Sequence, residues 1–279
     1  MSEQAEVLAV PAAAGESKSA FGLKWKERLV TAVLGGLLPV LVVLGWQWMG
    51  DAGRIDTFFI PTPLMIAAAF RELIASGELV GHLIVSLKRA AAGFAVGGAL
   101  GLAFGILVGF SRRTESYLDP TFQMLRMIPH LALSPLIILW FGFGETSKVF
   151  IIANGAFFPL YINTFLGIRN VDNKLFEVSD VLEFSRFKQI TRLVLPSSVP
   201  NILLGLRLSL AISWLGLVVA EMIGSKEGIG YLIHFGQSNS RTELIFVGII
   251  IFAIIGKLVD SLVRLLDRKL LGWRDSYKG

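Results

Sequence analysis

Cysteine is absent from the 279 residues, and histidine occurs only three times, as His82, His130 and His234. Disulfide bonds, thiol nucleophiles and cysteine-ligated metal sites are therefore excluded. The three histidines lie in separate segments of different character, so we expect no metal site built from them. Charged residues are also scarce, at 17%, whereas 54% of the residues are hydrophobic. This balance is typical of an integral membrane protein rather than a soluble domain.

The sequence also lacks the motifs of nucleotide chemistry and of hydrolysis. Its only Gly-Lys pair, Gly256-Lys257, precedes Leu258 inside an apolar run, so the chain has no P-loop for ATP. Zinc-protease, nucleophile-elbow, calcium-loop and dinucleotide-binding patterns are missing as well. We therefore expect no enzymatic activity and no resident cofactor or metal. The net charge of +5 does not indicate nucleic-acid binding, because the basic residues lie beside the apolar runs.

Six apolar segments approach the length of about 20 residues that a helix needs to cross a bilayer. They predict an all-α integral membrane protein with six transmembrane helices near 29–50, 90–111, 127–144, 149–168, 201–221 and 244–264. The last two reach spanning length only if Arg207 and Lys257 lie at the membrane boundary. Residues 51–89 are expected to form an external segment with a short helix.

The distribution of basic residues predicts the orientation of the chain. Most Lys and Arg residues fall in 1–28, 111–126, 169–200 and 264–279. The positive-inside rule places these segments, and both termini, in the cytoplasm. Residues 1–28 are interpreted as a partly disordered tail without the apolar core of a cleavable signal peptide, and 265–279 as a C-terminal tail.

The second apolar segment carries five glycines at a uniform spacing of four: Gly93, Gly97, Gly101, Gly105 and Gly109. Such a stripe lets another helix backbone approach closely. The partner is either a helix of the same subunit or a moving or dimeric interface. In the next segment, Pro129 and Pro135 can kink the helix, which suits a pathway-lining helix as well as a bent structural one.

A polar segment, "EVSDVLEFSRFKQITRLVLPSSVP", separates the fourth and fifth spans at 177–200. Apolar residues recur in it at helical spacing and predict one apolar helix face: Val178, Val181, Leu182, Phe184 and Phe187. This face must be buried against the membrane surface, the rest of the subunit or a partner protein.

The run from Glu177 to Pro196 resembles the cytoplasmic signature loop of ABC importer permeases, which reads E-A-A, three residues, G, nine residues, I, any residue, L-P. Three positions match this pattern: Glu177, Leu195 and Pro196. Four positions differ: Val178 and Ser179 for the two alanines, Leu193 for isoleucine, and Glu183 for glycine. Four further segments resemble the nitrate, taurine and aliphatic sulfonate branch of these permeases: 126–150, 158–172, 205–233 and 256–273. The aliphatic sulfonate permeases are the most similar.

The resemblance implies the type I ABC importer permease fold in the cell inner (plasma) membrane, with a transmembrane core domain at 79–267 and a coupling loop at 169–200. It implies an ATP-driven importer of a small anion: aliphatic sulfonates, with taurine, nitrate or another small nitrogen or sulfur compound as the alternative. The expected partners are a second copy of the permease, two ATPase subunits that hold ATP and Mg, and a periplasmic or lipid-anchored substrate-binding protein, in addition to membrane lipid. The helix from Glu177 to about Lys188 would then be the coupling helix that the ATPase moves.

A stand-alone channel or a secondary carrier is the alternative of a different class. An internal repeat and buried membrane acids for proton coupling would favour a carrier, and neither is apparent in the sequence.

Glu183 replaces a glycine that would tolerate a tight turn, whereas glutamate prefers to continue a helix. We therefore predict a longer, straighter first helix, or a turn shifted to Phe184–Ser185. The Glu183 carboxylate either pairs with a basic residue of the ATPase or is solvated.

Polar residues within or beside the apolar segments are candidates for the pathway of an anion: Arg126, His130, Arg207, Ser213 and Glu221. The alternative for both arginines is a place at the cytoplasmic headgroup boundary. Glu221 is either a gate or interface acid, or it ends its helix in water.

Overall fold

The structure is a computed structural model that describes residues 19–271, with side chains from residue 35 onward. The regular secondary structure of this range is helical, which agrees with the expected all-α class. The helices are α1 (Ser19–Asp51), α2 (Pro63–Ala75), α3 (Glu78–Phe110), α4 (Arg112–Arg126), α5 (Ser134–Phe141), α6 (Glu145–Arg169), α7 (Asn173–Val181), α8 (Arg186–Gln189), α9 (Leu195–Met222), α10 (Ile229–Ser238) and α11 (Thr242–Leu270).

The described residues fall into two compact units, one that ends at Leu64 and one that begins at Met65. In the described part of the first unit, Gln47 accepts a hydrogen bond from the Leu64 backbone N–H at 3.1 Å and donates one to Asp51 at 2.9 Å. These bonds hold the end of α1 beside the chain that follows it.

Within residues 19–271, four helical stretches are long and apolar enough to cross a membrane: 78–110, 145–169, 186–222 and 242–270. The pair 112–126 and 130–141 counts as a fifth only if its bend of 82° lies within one span. Six spans are therefore not confirmed by the described residues. The first expected span, 29–50, falls within α1.

Helix α3 begins earlier than expected, at Glu78, so residues 78–89 belong to a long helix and not to a separate external segment. The short helix expected before it is α2. Residues 127–144 also differ from the expected single bent helix. The chain leaves α4 at Arg126, makes a short 3-10 turn at His130–Leu133, and resumes as α5 at Ser134. Pro129 and Pro135 account for the break, because neither can donate the backbone hydrogen bond that a continuous helix requires.

The glycine stripe of α3 faces α6 of the same chain. A Cβ at Gly97 would lie 2.0 Å from the backbone oxygen of Ala153, and one at Gly101 would lie 2.5 Å from that of Phe157. The other three glycines face Ile152, Thr164 and Ile168 in the same way. The absence of side chains thus lets two helix backbones touch along their length.

Helix α6 packs on α9 through its other face. Ser209 Oγ donates to the Ala156 carbonyl at 2.5 Å, and a Cβ at Gly205 would lie 2.7 Å from Asn163 Cβ. The two helices run antiparallel, and residues 170–194 connect them; we call this segment the α6–α9 loop.

Candidate functional site

The α6–α9 loop consists of two short helices with a sharp turn between them. Helix α7 ends at Val181, and Glu183 adopts a left-handed conformation with φ 52°. The backbone N–H of Phe184 donates to Ser179 O at 2.9 Å, and that of Glu183 donates to Asp180 O at 3.0 Å. This pair of bonds is the Schellman arrangement, in which the left-handed residue is usually glycine.

The prediction of a longer, straighter first helix was therefore wrong, and so was a turn shifted to Phe184–Ser185. Glu183 occupies the left-handed position that the glycine of the family pattern would fill, despite its side chain. A continuous helix from Glu177 to Lys188 is also wrong, because α7 ends at Val181 and α8 begins only at Arg186. Local helix preference is worth only a few tenths of a kcal/mol per residue, which is too little to override tertiary contacts.

Gln189 supplies such a contact across the turn. Its side-chain amide donates to Asp180 Oδ1 at 2.7 Å and to Ser179 Oγ at 3.1 Å. Ser179 is 1% exposed and also donates to Phe176 O. These bonds tie α8 to the end of α7 and hold the turn closed.

The α6–α9 loop exposes several large apolar side chains among its charged ones. Val181 is 83% exposed and Phe187 is 77% exposed, and Val178 and Leu182 are exposed by more than half. Phe184 differs from these four: it is half-buried, and the Lys188 ammonium lies 4.0 Å from its ring centroid. The predicted apolar face is thus presented to the surroundings by four side chains rather than five.

The last residues of the signature run belong to the body of the protein. Leu193 packs against a buried cluster of Ile168, Val171 and Val194. Leu195 and Pro196 begin α9, directly after a π-helical turn at Ile190–Val194. Glu177 lies exposed on α7.

A cavity of about 350 Å³ lies between the 3-10 turn, α6 and α9. It brings together two of the predicted pathway residues, Arg126 and His130, with two amide side chains that the sequence argument missed, Asn154 and Asn163. The Nε2 atom of His130 is buried without a hydrogen-bond partner among the described residues. The remaining wall is apolar and includes Ile128, Phe158, Leu208 and Ile212.

The other pathway candidates lie elsewhere. Arg207 donates to Asp260 of α11 at 2.7 Å, and Asp260 also pairs with Arg264. Ser213 is buried and donates to the Leu210 carbonyl of its own helix at 3.1 Å. Neither of these side chains lines the cavity that holds His130.

Glu221 is 1% exposed, so the interpretation that it ends its helix in water was wrong. Its carboxylate accepts from Arg89 Nη1 at 3.0 Å, from Ser86 Oγ at 2.8 Å and from the Gly230 backbone N–H at 2.9 Å. Arg89 also donates to both oxygens of Glu145, at 2.6 and 2.7 Å. We call Ser86, Arg89, Glu145 and Glu221 the Glu221 cluster.

Arg89 was not among the predicted site residues, because it falls in the segment 51–89 that was expected to be external. Two signals were present: His82, Ser86 and Arg89 are spaced by four and three, which places them on one helix face, and Glu221 is followed by a Gly-Ile-Gly run at 228–230. Buried acids were expected to be absent, and this absence was held against a secondary carrier. Because Glu221 is buried, that reason no longer applies.

A family profile matches residues 101–272 and is described as the binding-protein-dependent transport system inner membrane component. The chain belongs to this family. Its members are membrane components of transport systems, which agrees with the expectation of a non-enzymatic subunit. The family and the apolar helices together make the protein a multi-pass protein of the inner membrane.

Individual relatives extend the similarity over nearly the whole chain. The aliphatic sulfonates transport permease protein SsuC of Bacillus subtilis strain 168 is 60% identical over 245 residues, which are 88% of this chain and 89% of the relative. The protein of the same name from Escherichia coli K12 is 44% identical over 91% of this chain and 95% of its own.

A solved structure supports the fold of the permease. A crystal structure of an amino acid ABC transporter with histidines aligns with a TM-score of 0.61 and 18% identity, covering 72% of this chain and 97% of the other. At this identity the match supports the ABC transporter fold and carries no information on the substrate.

Proposed function

We propose that this chain is the permease subunit of an ATP-driven importer that translocates aliphatic sulfonates across the inner membrane. The observation that carries the proposal is the 60% identity to the Bacillus permease over 88% of the chain. Taurine, nitrate or another small nitrogen or sulfur compound is the alternative substrate within the same importer class.

Growth of a deletion strain tests the substrate. A strain that lacks the gene should fail to grow on ethanesulfonate as the sole sulfur source and should grow normally on sulfate. Plasmid-borne wild-type gene should restore growth. Unimpaired growth on ethanesulfonate together with a defect on taurine, or on nitrate as nitrogen source, would transfer the assignment to that compound.

We propose that the permease is a homodimer and that the α6–α9 loop of each copy is the docking surface for one of two ATPase subunits. Its exposed side chains Val181, Leu182 and Phe187 would fit an apolar groove of the partner, as in other helix-in-groove complexes. This assignment requires the loop and both termini to be cytoplasmic, as the basic residues predict. The binding-protein partner follows from the family, and its docking face would be the opposite end of the helices.

Substitution of the exposed pair separates docking from folding. Val181→Asp with Phe187→Asp should abolish co-purification of the ATPase while membrane insertion and the apparent Tm stay unchanged, because neither side chain contributes to the core. Phe184→Asp is the matched comparison, since this half-buried ring packs under Lys188 and its loss should lower stability. Retention of the ATPase by the double variant would refute the docking assignment.

The cavity between α6 and α9 is proposed as a station on the translocation pathway. Arg126 provides a cation, and His130, Asn154 and Asn163 provide polar hydrogens for sulfonate oxygens, while the apolar wall suits an alkyl chain. His130→Leu should reduce ethanesulfonate uptake by an assembled complex without reducing basal ATP hydrolysis. Equal uptake by His130→Leu and wild type would remove His130 from the pathway.

A further inference from the structure

The Glu221 cluster joins four segments of the chain at one point. Ser86 and Arg89 come from α3, Glu145 from the start of α6, and Glu221 from the end of α9. Arg89 Nη1 also donates to the carbonyl of Glu227, in the segment that leads into α10, at 2.7 Å. The cluster therefore makes these segments neighbours in one fixed arrangement.

The start of α10 is bound to the cluster through three successive backbone N–H groups. Gly228 donates to His82 Nδ1 at 3.1 Å, Ile229 donates to Ser86 Oγ at 2.8 Å, and Gly230 donates to Glu221 Oε2 at 2.9 Å. A helix leaves its first N–H groups without partners of its own, so these side chains complete α10 and attach it to α3 and α9.

Two glycines allow the backbone to pack directly against Glu221. A Cβ at Gly228, where φ is 115°, would lie 2.4 Å from the Glu221 carboxyl carbon, and one at Gly230 would lie 2.6 Å from Glu221 Cβ. The loop therefore closes on the carboxylate only because both positions are glycine.

Stability alone is a weak reason for such a cluster. Replacing a buried ion pair by apolar residues of similar volume is often neutral or stabilising, because desolvation offsets most of the attraction. The pair instead fixes the relative orientation of the helices. Arg89 donates to two carboxylates and one carbonyl at once, and a pair of apolar side chains could not specify such an orientation.

The Glu221 cluster and the α6–α9 loop lie at opposite ends of the same two helices. The loop joins the end of α6 to the start of α9, and Glu145 and Glu221 lie at the other ends of the same two helices. Between these ends, the contact of Gly97 with Ala153 and the bond from Ser209 to Ala156 keep α3, α6 and α9 in close contact. Displacement of the loop therefore has a packed path along these helices to the start of α10.

We propose that Arg89 and Glu221 are positioning residues that make α3, α6, α9 and the start of α10 one rigid lever, which transmits displacement of the α6–α9 loop to the opposite membrane face. The proposal rests on the importer function, because the ATPase subunits supply the displacement. Glu221 acts through α10 and not as a pathway ligand, since it does not line the cavity that holds His130.

Uptake per ATP hydrolysed is the direct test. The complex of permease, ATPase and binding protein is reconstituted in liposomes, and ethanesulfonate uptake and ATP hydrolysis are measured together. Glu221→Gln should hydrolyse ATP and lower uptake per ATP on the order of tenfold, which is within the usual range of coupling between distant sites. Arg241→Gln is the matched control, because it removes ion pairs with Glu72 and Glu243 that lie outside the Glu221 cluster, and it should keep the wild-type ratio.

A second variant guards against misfolding. Arg89→Leu with Glu221→Leu removes both buried charges and should assemble, while showing the same loss of uptake per ATP. A wild-type ratio in both the single and the double variant would overturn the lever. So would a fall of uptake and hydrolysis in equal proportion to the amount of assembled complex, which is what a purely structural role predicts.

Hydrogen exchange tests the lever without a transported substrate. Addition of ATP and Mg²⁺ to the wild-type complex should change the exchange of amides 228–238, and the change should be lost in Glu221→Gln. No ATP-induced change in the wild type would overturn the proposal. Failure of ethanesulfonate uptake by the wild-type complex, with this exchange response intact, would instead refute the substrate assignment.

Discussion

At one end of α6 and α9, Glu221 is 1% exposed and its carboxylate is surrounded by donors; at the other end, Val181 is 83% exposed and touches little. The first end is polar and closed, and the second is apolar and open. A buried polar cluster is stable only when its groups are paired internally, whereas an exposed apolar patch is typical of a surface that contacts a protein or a membrane. The first end is therefore complete within the chain, and the second end is the one for which we propose a partner.

The largest effect is expected from breaking the closed end asymmetrically. Arg89→Ala leaves the buried Glu221 without a cation, whereas Glu145 keeps its pair with Lys148. Removal of one partner of a buried pair should destabilise the protein by ~3–5 kcal/mol. Denaturant unfolding of the detergent-solubilised protein measures this. The contrast between the two ends would be lost if Arg89→Ala proved as mild as Arg241→Gln, which removes an exposed pair and should cost less than about 1 kcal/mol.

The connection between the ends depends on close helix contact. Gly97→Val places a side chain where even a Cβ would lie 2.0 Å from a backbone oxygen, and overpacking of this kind costs about 1–3 kcal/mol. The same unfolding measurement applies. Gly81→Val on the same helix is the matched control, because no atom lies within 4 Å of a Cβ there. Equal effects of both substitutions would show that α3 and α6 do not pack through the stripe.

The smallest effect is expected at the turn of the open end. Glu183→Gly removes the strain of a side chain at φ 52° and should stabilise the turn by up to about 1 kcal/mol. Hydrogen exchange of the Phe184 amide, which closes the turn by donating to Ser179 O, measures its local opening. Glu177→Gly, the same substitution within α7, should have the opposite sign and cost about 1 kcal/mol. A slower Phe184 exchange in Glu177→Gly than in Glu183→Gly would contradict the assigned turn.

Much of the open end was predictable. The structure exposes Val178, Val181, Leu182 and Phe187, whose spacing predicted an apolar face, although they lie on α7, the turn and α8 and not on one helix. The spacing of apolar residues is a property of one short segment, so it can be recognised in the sequence alone. The turn at Glu183 was not predictable, because the bonds that close it come from Gln189 and from the backbone of α7. These contacts outweigh the helix preference of a single glutamate.

Little of the closed end was predictable. Arg89 and Glu221 are 132 positions apart, and neither has a sequence neighbour that indicates its partner. Arg126 and His130 were close enough in sequence to be considered together, but Asn154 and Asn163 joined them only through the packing of α6. Pairing over such distances depends on which helix faces meet.

The order of residues alone determined the helical membrane class, the small-residue stripe of α3 and the signature run from Glu177 to Pro196, because length, period and spacing are properties of a single chain segment. Pro129 and Pro135 likewise determined the break at 127–129. Tertiary structure decided the left-handed Glu183 and the partners of Glu221. Each of these depends on a group that is distant in sequence or on the geometry of a turn, and the free energy of such contacts exceeds the preference of any one residue for its local conformation.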